Sequence, residues 1–553
     1  MNANIVMDVS WQEAFLQRLE HDGPWASWKA YHLAYETEKQ LLISSFEGLQ
    51  APTYLPHLTL LPHQLEAART VLEEMHGKAI LADEVGLGKT IEAGLILKEY
   101  MIRGLVKKVL ILVPASLVSQ WTFELTTKFY IPATAFRKSY SWEQVDVIVS
   151  SIDTAKRSPH REIVLNTEYD LIIIDEAHKL KNNKTKNYEF VQQLKKRFCL
   201  LLTATPIQNR MDEIFNLVSL LKPGHLGNEE HFEQYYSSKR KGVENEEALR
   251  KLINMVMVRN RRSDTKIEWP KRHVHTIFVD LNEQERSLYN SILNKRDATS
   301  FSSLTLLREA CSSREAVYFS LQKLVEKRKK EGIPPDPHID NIIDCINCIP
   351  FNSKAQKALE IIKEINDKVI IFTEYRASQM YLQWFLKQHN ISSVPFRGGF
   401  KRGKKDWMRE LFQHHAQVLI ATEAGGEGIN LQFCNTMINY DLPWNPMRLE
   451  QRIGRIHRLG QQQDVHIYNM VTKNTVEEHI MKLLYDKIQL FERVIGELDE
   501  ILTKIDLKNI EDHIQDIFTS SKSEGEIRIK MENLASIIEF SKGNEGMKIH
   551  AAT

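Results

Sequence analysis

The run from Leu81 to Thr90 has the composition of a phosphate-binding loop. It follows a short apolar stretch, precedes a helical pattern and contains Gly86, Gly88 and Lys89. Glycines let the backbone curl so that its N–H groups and the N-terminus of the next helix surround phosphate oxygens. In such a loop Lys89 reaches the β- and γ-phosphates and the Thr90 hydroxyl binds Mg²⁺. The run predicts a nucleoside triphosphate site; a glycine-rich turn without a ligand is the alternative.

A second group of candidate residues ends the apolar segment Leu171–His178. Two carboxylates, Asp175 and Glu176, stand there and His178 follows them. A carboxylate at the end of a buried strand beside a phosphate loop holds Mg²⁺ through water, the role expected for Asp175. Glu176 would orient or deprotonate the attacking water, and His178 would link the site to the rest of the protein. Each carboxylate alone could be a solvated strand end; together with the loop they indicate nucleotide hydrolysis.

The elements that must position these residues form two similar regions. Short apolar runs predict parallel strands buried on both faces, and helical patterns between several of them fit βαβ crossovers. The chain is therefore expected to be α/β, with two parallel sheets flanked by helices. The predicted strands lie at 79–82, 109–113, 145–150, 171–174 and 198–202, and again at 369–372, 418–421, 436–440 and 465–470.

The two motifs resemble those of superfamily 2 helicases and, more narrowly, those of the Swi/Snf group of DNA translocases. That group's phosphate loop has the pattern D-E-x-G-L-G-K-T, which explains an aspartate at 83, where the general pattern has glycine. The resemblance runs from about Leu61 to Leu483 and is similar to the compact bacterial RapA-like branch. It implies two RecA-like lobes and an ATP site, with Gln64 beside adenine and the loop residues Asp83, Glu84, Val85, Gly86, Leu87, Gly88, Lys89 and Thr90 around the phosphates.

Further segments match the group's motifs in order. They are Val113–Trp121, Thr203–Asn209, Val369–Arg376, Ala421–Gln432, Asp441–Pro446 and Gln451–Gln461. The last two are the most specific, because most other superfamily 2 branches lack the Trp-Asn-Pro sequence and the terminal Gly-Gln. The resemblance implies that hydrolysis is coupled to nucleic-acid contact through His178, Thr203, Gly426, Glu427, Gln451 and Arg452.

Three arginines follow the second predicted sheet. Arg452, Arg455 and Arg458 are three residues apart, so a helix would place them near one face. The guanidinium group has a fixed fork of donors that suits phosphate oxygens. The resemblance implies that Arg455 and Arg458 complete a catalytic set with Lys89 and Glu176, whereas Arg452 supports the helix. The alternative is a solvated basic face with ordinary ion pairs.

Nucleic-acid contacts are expected from motif hydroxyls and from basic clusters. The motifs imply contacts at Ser116, Ser151, Thr203 and Thr422. The basic run Arg397–Lys405 adds Arg397, Lys401 and Arg402 among three glycines and contains no acid. Clustered positive charge suits phosphate contacts, although such a cluster is also typical of a solvated surface. No base-reading motif is visible, so DNA binding with little sequence preference is expected.

The net charge of the whole chain does not reveal the expected DNA-binding surface. The chain has 73 basic and 72 acidic residues, a net charge of +1, which excludes a small, uniformly basic nucleic-acid binder. Residues 476–553 contain 10 basic and 16 acidic residues, a net charge of −6, so the preceding residues carry +7. The charge is therefore segregated. Without a secretory signal, a long apolar span or a cysteine framework, a cytoplasmic protein is expected, and the resemblance to bacterial DNA translocases implies association with the nucleoid.

The expected domain order follows from the motifs and the composition. It comprises a short N-terminal region at 1–58, a first lobe with a helical protrusion at 59–280, a helical insertion and linker at 281–350, a second lobe at 351–475 and an acidic helical extension at 476–553.

The resemblance implies a monomeric, ATP- and Mg²⁺-dependent translocase on duplex DNA that remodels protein–DNA complexes. RNA polymerase is one possible partner, but the short N-terminal region leaves no room for the module that RapA uses to contact it. A strand-separating DNA or RNA helicase is one alternative, and a nucleotide-switched subunit of a defence or repair complex is another.

Overall fold

The structure is a computed structural model. It describes residues 11–23, 25–41, 48–139, 141–203, 211–232, 244–262, 265, 267–293, 300–334, 336–400, 402–422, 430–443 and 446–482, with the single residues 517, 526, 529, 530 and 533. Residues 1–48 form one compact unit, with helices α1 (Trp11–Glu20) and α2 (Trp28–Leu41), and residues 49–553 form a second. Among the described helices, none combines the length and the apolar character needed to span a bilayer.

The first sheet of the larger unit has seven parallel strands in the order β3-β4-β2-β5-β6-β1-β7. Its central strands are buried almost throughout, as the continuous apolar runs predict, because helices cover both faces of a parallel sheet. The strands are β1 (Lys78–Leu81), β2 (Val109–Val113), β3 (Ala133–Ala135), β4 (Val147–Ser151), β5 (Tyr169–Ile174), β6 (Lys196–Leu202) and β7 (Met257–Val258).

The helices of this region connect the strands, apart from the first, which precedes β1. They are α3 (Pro62–Glu73), α4 (Lys89–Ile102), α5 (Val118–Lys128), α6 (Ser141–Gln144), α7 (Ile152–Ala155), α8 (His160–Asn166), α9 (Lys186–Gln193), α10 (Met211–Leu221), α11 (Glu229–Phe232) and α12 (Glu244–Asn254), with 3₁₀ turns at Ala51–Tyr54 and Ala177–Leu180.

The second sheet has six parallel strands in the order β10-β11-β9-β12-β13-β8. They are β8 (Arg272–Val279), β9 (Val369–Thr373), β10 (Ser393–Phe396), β11 (Val418–Thr422), β12 (Thr436–Asn439) and β13 (Val465–Thr472). Residues 272–279 fall within the range expected for the first lobe, but they form strand β8, which pairs with β13 over its whole length. Its half-exposed pattern is that of an edge strand, which the sequence pattern does not assign to either sheet. The α/β class with two parallel sheets is confirmed.

The remaining helices pack on the second sheet. Several apolar residues of the expected insertion, such as Leu288, Val317 and Ile342, share one core with Phe372 and Leu419 of this sheet. The helices are α13 (Glu283–Leu293), α14 (Ser300–Ser312), α15 (Arg314–Lys330), α16 (Pro337–Cys348), α17 (Ser353–Ile365), α18 (Arg376–Gln388), α19 (Arg402–His414), α20 (Pro446–Ile453) and α21 (Val476–Met481).

Candidate active site

The phosphate loop lies between strand β1 and helix α4. Gly86 and Gly88 have φ angles of +92° and +99°, a region that side chains rarely occupy. A Cβ at position 86 would lie 3.2 Å from the Cα of Arg458, which belongs to the second lobe. Helix α4 begins at Lys89, so Lys89 and Thr90 form its first turn, where N–H groups are free to bind phosphate.

Gln64 is buried directly against this loop. Its Nε2 donates to the carbonyl of Leu87 at 3.1 Å, and its Oε1 accepts from the N–H of Leu61 at 3.1 Å. The second bond caps helix α3 and fixes which way the amide points. The structure therefore places Gln64 at the nucleotide loop, where adenine recognition was predicted.

Three of the loop residues predicted to surround the phosphates form hydrogen bonds with other groups of the protein. Lys89 Nζ donates to the carbonyls of Asp83 and Glu84. The carboxylate of Asp83 is fully buried and accepts from the backbone and side-chain amides of Asn260 at 2.8 to 3.1 Å. Glu84 accepts from the backbone N–H of Arg262 at 2.9 Å. Burial raises the pKa of Glu84, and the charge of Arg262 opposes that rise. Asp83 and Glu84 thus hold the shape of the loop.

Asp175 and Glu176 follow strand β5 and face the cleft between the lobes. Burial, and then the neighbouring charge of Glu176, raise the pKa of Asp175 to about 6. Burial would also raise the pKa of Glu176, but a hydrogen bond and charge from His178 and the charges of Arg455 and Lys89 bring it to about 2. His178 Nδ1 lies 3.2 Å from Glu176 Oε2. The pair therefore combines an ionised carboxylate with one whose ionisation a cation would favour.

The orientation of Asp175 depends on a residue of helix α5. Trp121 is 1% exposed, and its Nε1 donates to Asp175 Oδ2 at 2.9 Å. The other oxygen, Oδ1, accepts from the backbone N–H of Glu176 at 2.8 Å. These two donors fix the rotamer of Asp175 and lower its pKa against the effect of burial.

The prediction that one helix carries all three arginines is wrong. Helix α20 ends at Ile453, and Arg455 and Arg458 lie in the turns after it. The N–H of Arg455 bonds to the carbonyl of Arg452, three residues back rather than four, at 3.0 Å. This tighter turn starts at Gly454 and directs the chain towards the phosphate loop. We call residues 454–459 the arginine turn.

The arginine turn contacts the phosphate loop. A Cβ at Gly454 would overlap the side chain of Val85, and the N–H of Leu459 donates to the carbonyl of Gly86 at 3.3 Å. The charge of Arg455 acts on Glu176 and lowers its pKa. Both predicted arginines therefore belong to a segment that the second lobe places on the nucleotide loop of the first.

Two predicted coupling residues contact the ends of strands. Arg452 is buried in the second lobe, where its Nη1 donates to Asn439 Oδ1 at 3.2 Å and to the Asp441 carbonyl at 2.8 Å, so it ties helix α20 to the end of β12. Thr203 follows β6, and its N–H donates to the carbonyl of Leu81 at 3.0 Å. Gln451 is half-buried on α20. Gly426 and Glu427 lie outside the described residues.

A cleft of about 480 Å³ joins the carboxylates to the predicted DNA contacts. Ser116, three residues after β2, and Ser151, the last residue of β4, line it from the first lobe, and Gly398 and Lys405 line it from the second. Thr422 ends strand β11, and the guanidinium of Arg397 lies 4.9 Å from the ring centre of Phe400, another residue of the cleft. Lys401 lies outside the described residues, and Arg402 begins helix α19.

Comparisons with known proteins agree with this geometry. Residues 63–330 match the model of the SNF2-related domain, and residues 353–460 match that of the helicase conserved C-terminal domain. A Bacillus subtilis (strain 168) relative named Uncharacterized ATP-dependent helicase YqhH is 64% identical over 548 residues, which cover 98% of each chain. The chain belongs to the SNF2 family of helicase-like ATPases. This SNF2 protein is therefore an ATP-hydrolysing enzyme of the helicase type.

More distant relatives are longer than this chain. The RNA polymerase-associated protein RapA of Haemophilus influenzae is 29% identical over 79% of this chain, and that of Serratia proteamaculans is 28% identical over 83%. The chain spans about half of these RapA proteins, 47% and 52% of their lengths. The Sulfolobus solfataricus SWI2/SNF2 ATPase core in complex with dsDNA shares 22% identity, with a TM-score of 0.38, over 86% of this chain and 97% of that one.

Sequence reasoning missed four residues around the site of this SNF2 enzyme. Trp121 was noted only as part of a motif, and Arg262 was not singled out. Asn260 and His457 received no role. A buried tryptophan needs an acceptor for its N–H, which was the one available signal for Trp121. For the other three, the partners lie in distant segments, and residue type alone does not identify them.

Proposed function

We propose that this SNF2 enzyme is an ATP-dependent translocase on double-stranded DNA that remodels protein–DNA complexes. One observation carries the proposal: the catalytic carboxylates Asp175 and Glu176 line the same cleft as Ser116 and Ser151 of the first lobe and Lys405 of the second. Hydrolysis of the nucleotide and a change in the DNA contacts would therefore both take place at the boundary between the two lobes.

The residues divide the chemistry between the lobes. Lys89 and the N-terminus of α4 bind phosphates, and ionised Glu176 accepts a hydrogen bond from the attacking water. Arg455 and Arg458 supply positive charge from the second lobe to the γ-phosphate. Thr90 and Asp175 supply oxygen donors that would hold Mg²⁺, and the ion would favour the ionised form of Asp175, whose pKa is raised by burial and then by the charge of Glu176. When bound, the ion neutralises charge on the phosphates.

Coupling follows from the shared site. The set of residues around ATP is complete only when the arginine turn lies on the phosphate loop. Loss of the γ-phosphate removes part of the attraction between the lobes. If each lobe grips the DNA backbone in turn, repeated closing and opening moves the protein along it. Contacts through hydroxyls and lysines to the backbone give little sequence preference.

ATPase activity tests the substrate. We expect strong stimulation by duplex DNA and weak stimulation by single-stranded DNA or RNA. Lys89→Ala should be inactive throughout, and Glu176→Gln should bind ATP without turnover. Arg455→Ala should lose about 10³-fold or more in turnover, as arginine fingers do. Preferential stimulation by RNA or single strands would contradict the proposal.

Displacement assays separate translocation from strand separation. The translocase should release the third strand of a triplex and leave a forked duplex paired, whereas a strand-separating helicase does the reverse. Intact Lys89, Glu176, Arg455 and Arg458 favour an active motor over a nucleotide-switched subunit. Release of a third strand only with ATP would support the proposal.

The partners are proposed from the relatives. RNA polymerase, or another complex bound to DNA, is the proposed target, because the RapA proteins share most of this chain's length. We also propose that the enzyme works as a monomer, in the cytoplasm and on the nucleoid. Pull-down from cell extract with and without nuclease separates direct partners from proteins held by DNA, and light scattering gives the oligomeric state.

A further inference from the structure

A segment between the two sheets contacts the nucleotide loop. It leaves the first sheet at Val258 and enters the second at Arg272. Arg262, near the middle of this segment, is 7% exposed. It makes several polar contacts with the nucleotide loop. Its N–H donates to Glu84 Oε2 at 2.9 Å, its Nε pairs with Glu84 Oε1 at 3.2 Å, and its Nη2 donates to the carbonyl of Val85 at 2.6 Å.

The same guanidinium also contacts the arginine turn. Arg262 Nη1 lies 2.6 Å from His457 Nδ1, and Nη2 donates to the His457 carbonyl at 3.0 Å. Arg272 Nε donates to the same Nδ1 at 2.8 Å, and Arg272 is itself paired with Glu450 at 3.1 Å. One side chain of the connecting segment thus bridges the phosphate loop and the second lobe.

The hydrogen bonds determine the tautomer of His457. Two guanidinium groups, which can only donate, point at Nδ1, so Nδ1 is the acceptor and Nε2 carries the proton. Nε2 donates to the carbonyl of Pro270 at 2.9 Å. Burial, and then the charges of Arg272 and Arg262, lower the pKa of His457 to about 3, so the ring is neutral at neutral pH. The imidazole is therefore a fixed acceptor within the turn.

His457 stands between Arg455 and Arg458 in the chain. The other end of the turn is fixed within the second lobe, where Gln461 Nε2 donates to the carbonyls of Gln432 and Ile456 at 3.0 and 3.1 Å. Arg262 is the described side chain that fixes the turn from the side of the first lobe. It forms charged hydrogen bonds with both the phosphate loop and the turn.

We propose that Arg262 and His457 are positioning residues that hold the arginine turn on the phosphate loop. The connecting segment would transmit the conformation of the loop at Glu84 and Val85 to Arg455 and Arg458. This inference rests on the role given to those two arginines in the proposed function. Neither Arg262 nor His457 needs to touch the nucleotide, so their loss should reduce kcat much more than it changes KM for ATP.

His457 offers a matched pair of variants. In His457→Asn, Oδ1 takes the place of Nδ1 and still accepts from the arginines. In His457→Gln, the terminal amide takes the place of Nε2 and still donates to Pro270, but no acceptor remains for the arginines. We expect the asparagine variant to retain kcat within about 3-fold and the glutamine variant to lose about 10- to 100-fold, the value of one charge-assisted hydrogen bond.

Arg262→Lys provides the second measurement. Lysine keeps the charge but has no fork to reach the loop and the turn together, so kcat should fall by about 10- to 100-fold with KM changed by less than about 3-fold. Arg161→Gln is the control, because it removes an arginine from an exposed ion pair with Glu189. Thermal melting and binding of a fluorescent ATP analogue show whether each variant is folded.

The outcomes distinguish the inference from the proposed function. Equal kcat for His457→Gln and His457→Asn, or full kcat for Arg262→Lys, while Arg455→Ala abolishes turnover, would overturn the inference alone. Full turnover in both Arg455→Ala and Arg458→Ala would overturn the role of the arginines and the inference with it. A fall in ATP binding equal to the fall in kcat would show that Arg262 only shapes the loop, and this result too would overturn the inference.

Discussion

Replacing Trp121 by phenylalanine removes one N–H donor from the buried carboxylate of Asp175 and keeps an aromatic ring in place. The Nε1–Oδ2 distance is 2.9 Å, and the indole is 1% exposed, so water does not readily replace the lost donor. Because the donor stabilises the ionised carboxylate, its loss favours the protonated form. The direction of the effect is an upward shift in the pKa of Asp175.

The size of the shift follows from the hydrogen bond. A bond to a charged group contributes about 1.5–3 kcal/mol, which corresponds to roughly 1–2 pH units. The pKa of Asp175 already stands at about 6, raised by burial and then by Glu176. Activity that needs ionised Asp175 is present above this pKa and is lost as the pH falls through it. With Trp121→Phe, kcat/KM for ATP should fall by roughly 2- to 10-fold at pH 7 and recover near pH 9.

The assay is kcat/KM for ATP against pH, at saturating duplex DNA and fixed Mg²⁺. Trp384→Phe is a matched control, since Trp384 is 57% exposed on helix α18 and should leave the profile unchanged. An acid limb at the same pH in both variants would refute the reasoning, because the donor would then have no influence on the ionisation of Asp175. A uniform loss of activity at every pH would refute it as well.

Two further variants test packing and buried charge. Gly454→Ala adds a Cβ that overlaps Val85, so kcat should fall about 5- to 100-fold, and Val85→Ala in the same chain should restore most of it, as steady-state ATPase would show. Lys354→Met leaves the carboxylate of Glu477, 2.7 Å from the buried ammonium, without its partner and should cost about 3–5 kcal/mol in the free energy of unfolding. In urea unfolding, its control on the same helix, Lys357→Met, should cost less than about 1 kcal/mol, because that ion pair is exposed; equal losses would contradict the burial argument.

The positions of the central strands along the chain and the motif segments could be predicted from the sequence, whereas strands β3, β7, β8 and β10 were not predicted. Each predicted apolar run between positions 79 and 470 overlaps a strand to within two residues, because burial on both faces leaves a continuous apolar signal. The phosphate loop and the carboxylates after β5 could be predicted for a similar reason, since their residue types are dictated by phosphate and cation chemistry. The roles assigned to the site residues stay predictions, and Lys401, Gly426 and Glu427 also lie outside the described residues.

The end of helix α20 could not be predicted from spacing. Three arginines at intervals of three fit a continued helix, and Gly454 alone does not show that the chain turns after Ile453. The turn forms because Gly454 allows close packing on Val85, a residue more than 360 positions away. Likewise, β8 joins the second sheet through pairing with β13, which the half-exposed pattern of β8 does not specify.

The sequence by itself determined the α/β class, the glycine-rich loop, the two carboxylates after β5 and the SNF2 resemblance, because each of these depends on neighbouring residues in a short segment. Only the tertiary structure decided that Trp121 orients Asp175, that Arg262 and His457 bridge the lobes, and that Arg452 serves the second sheet. In each of these cases a polar group is buried and must find its hydrogen-bond partner. That partner comes from a distant segment, so its identity emerges only when the chain is folded.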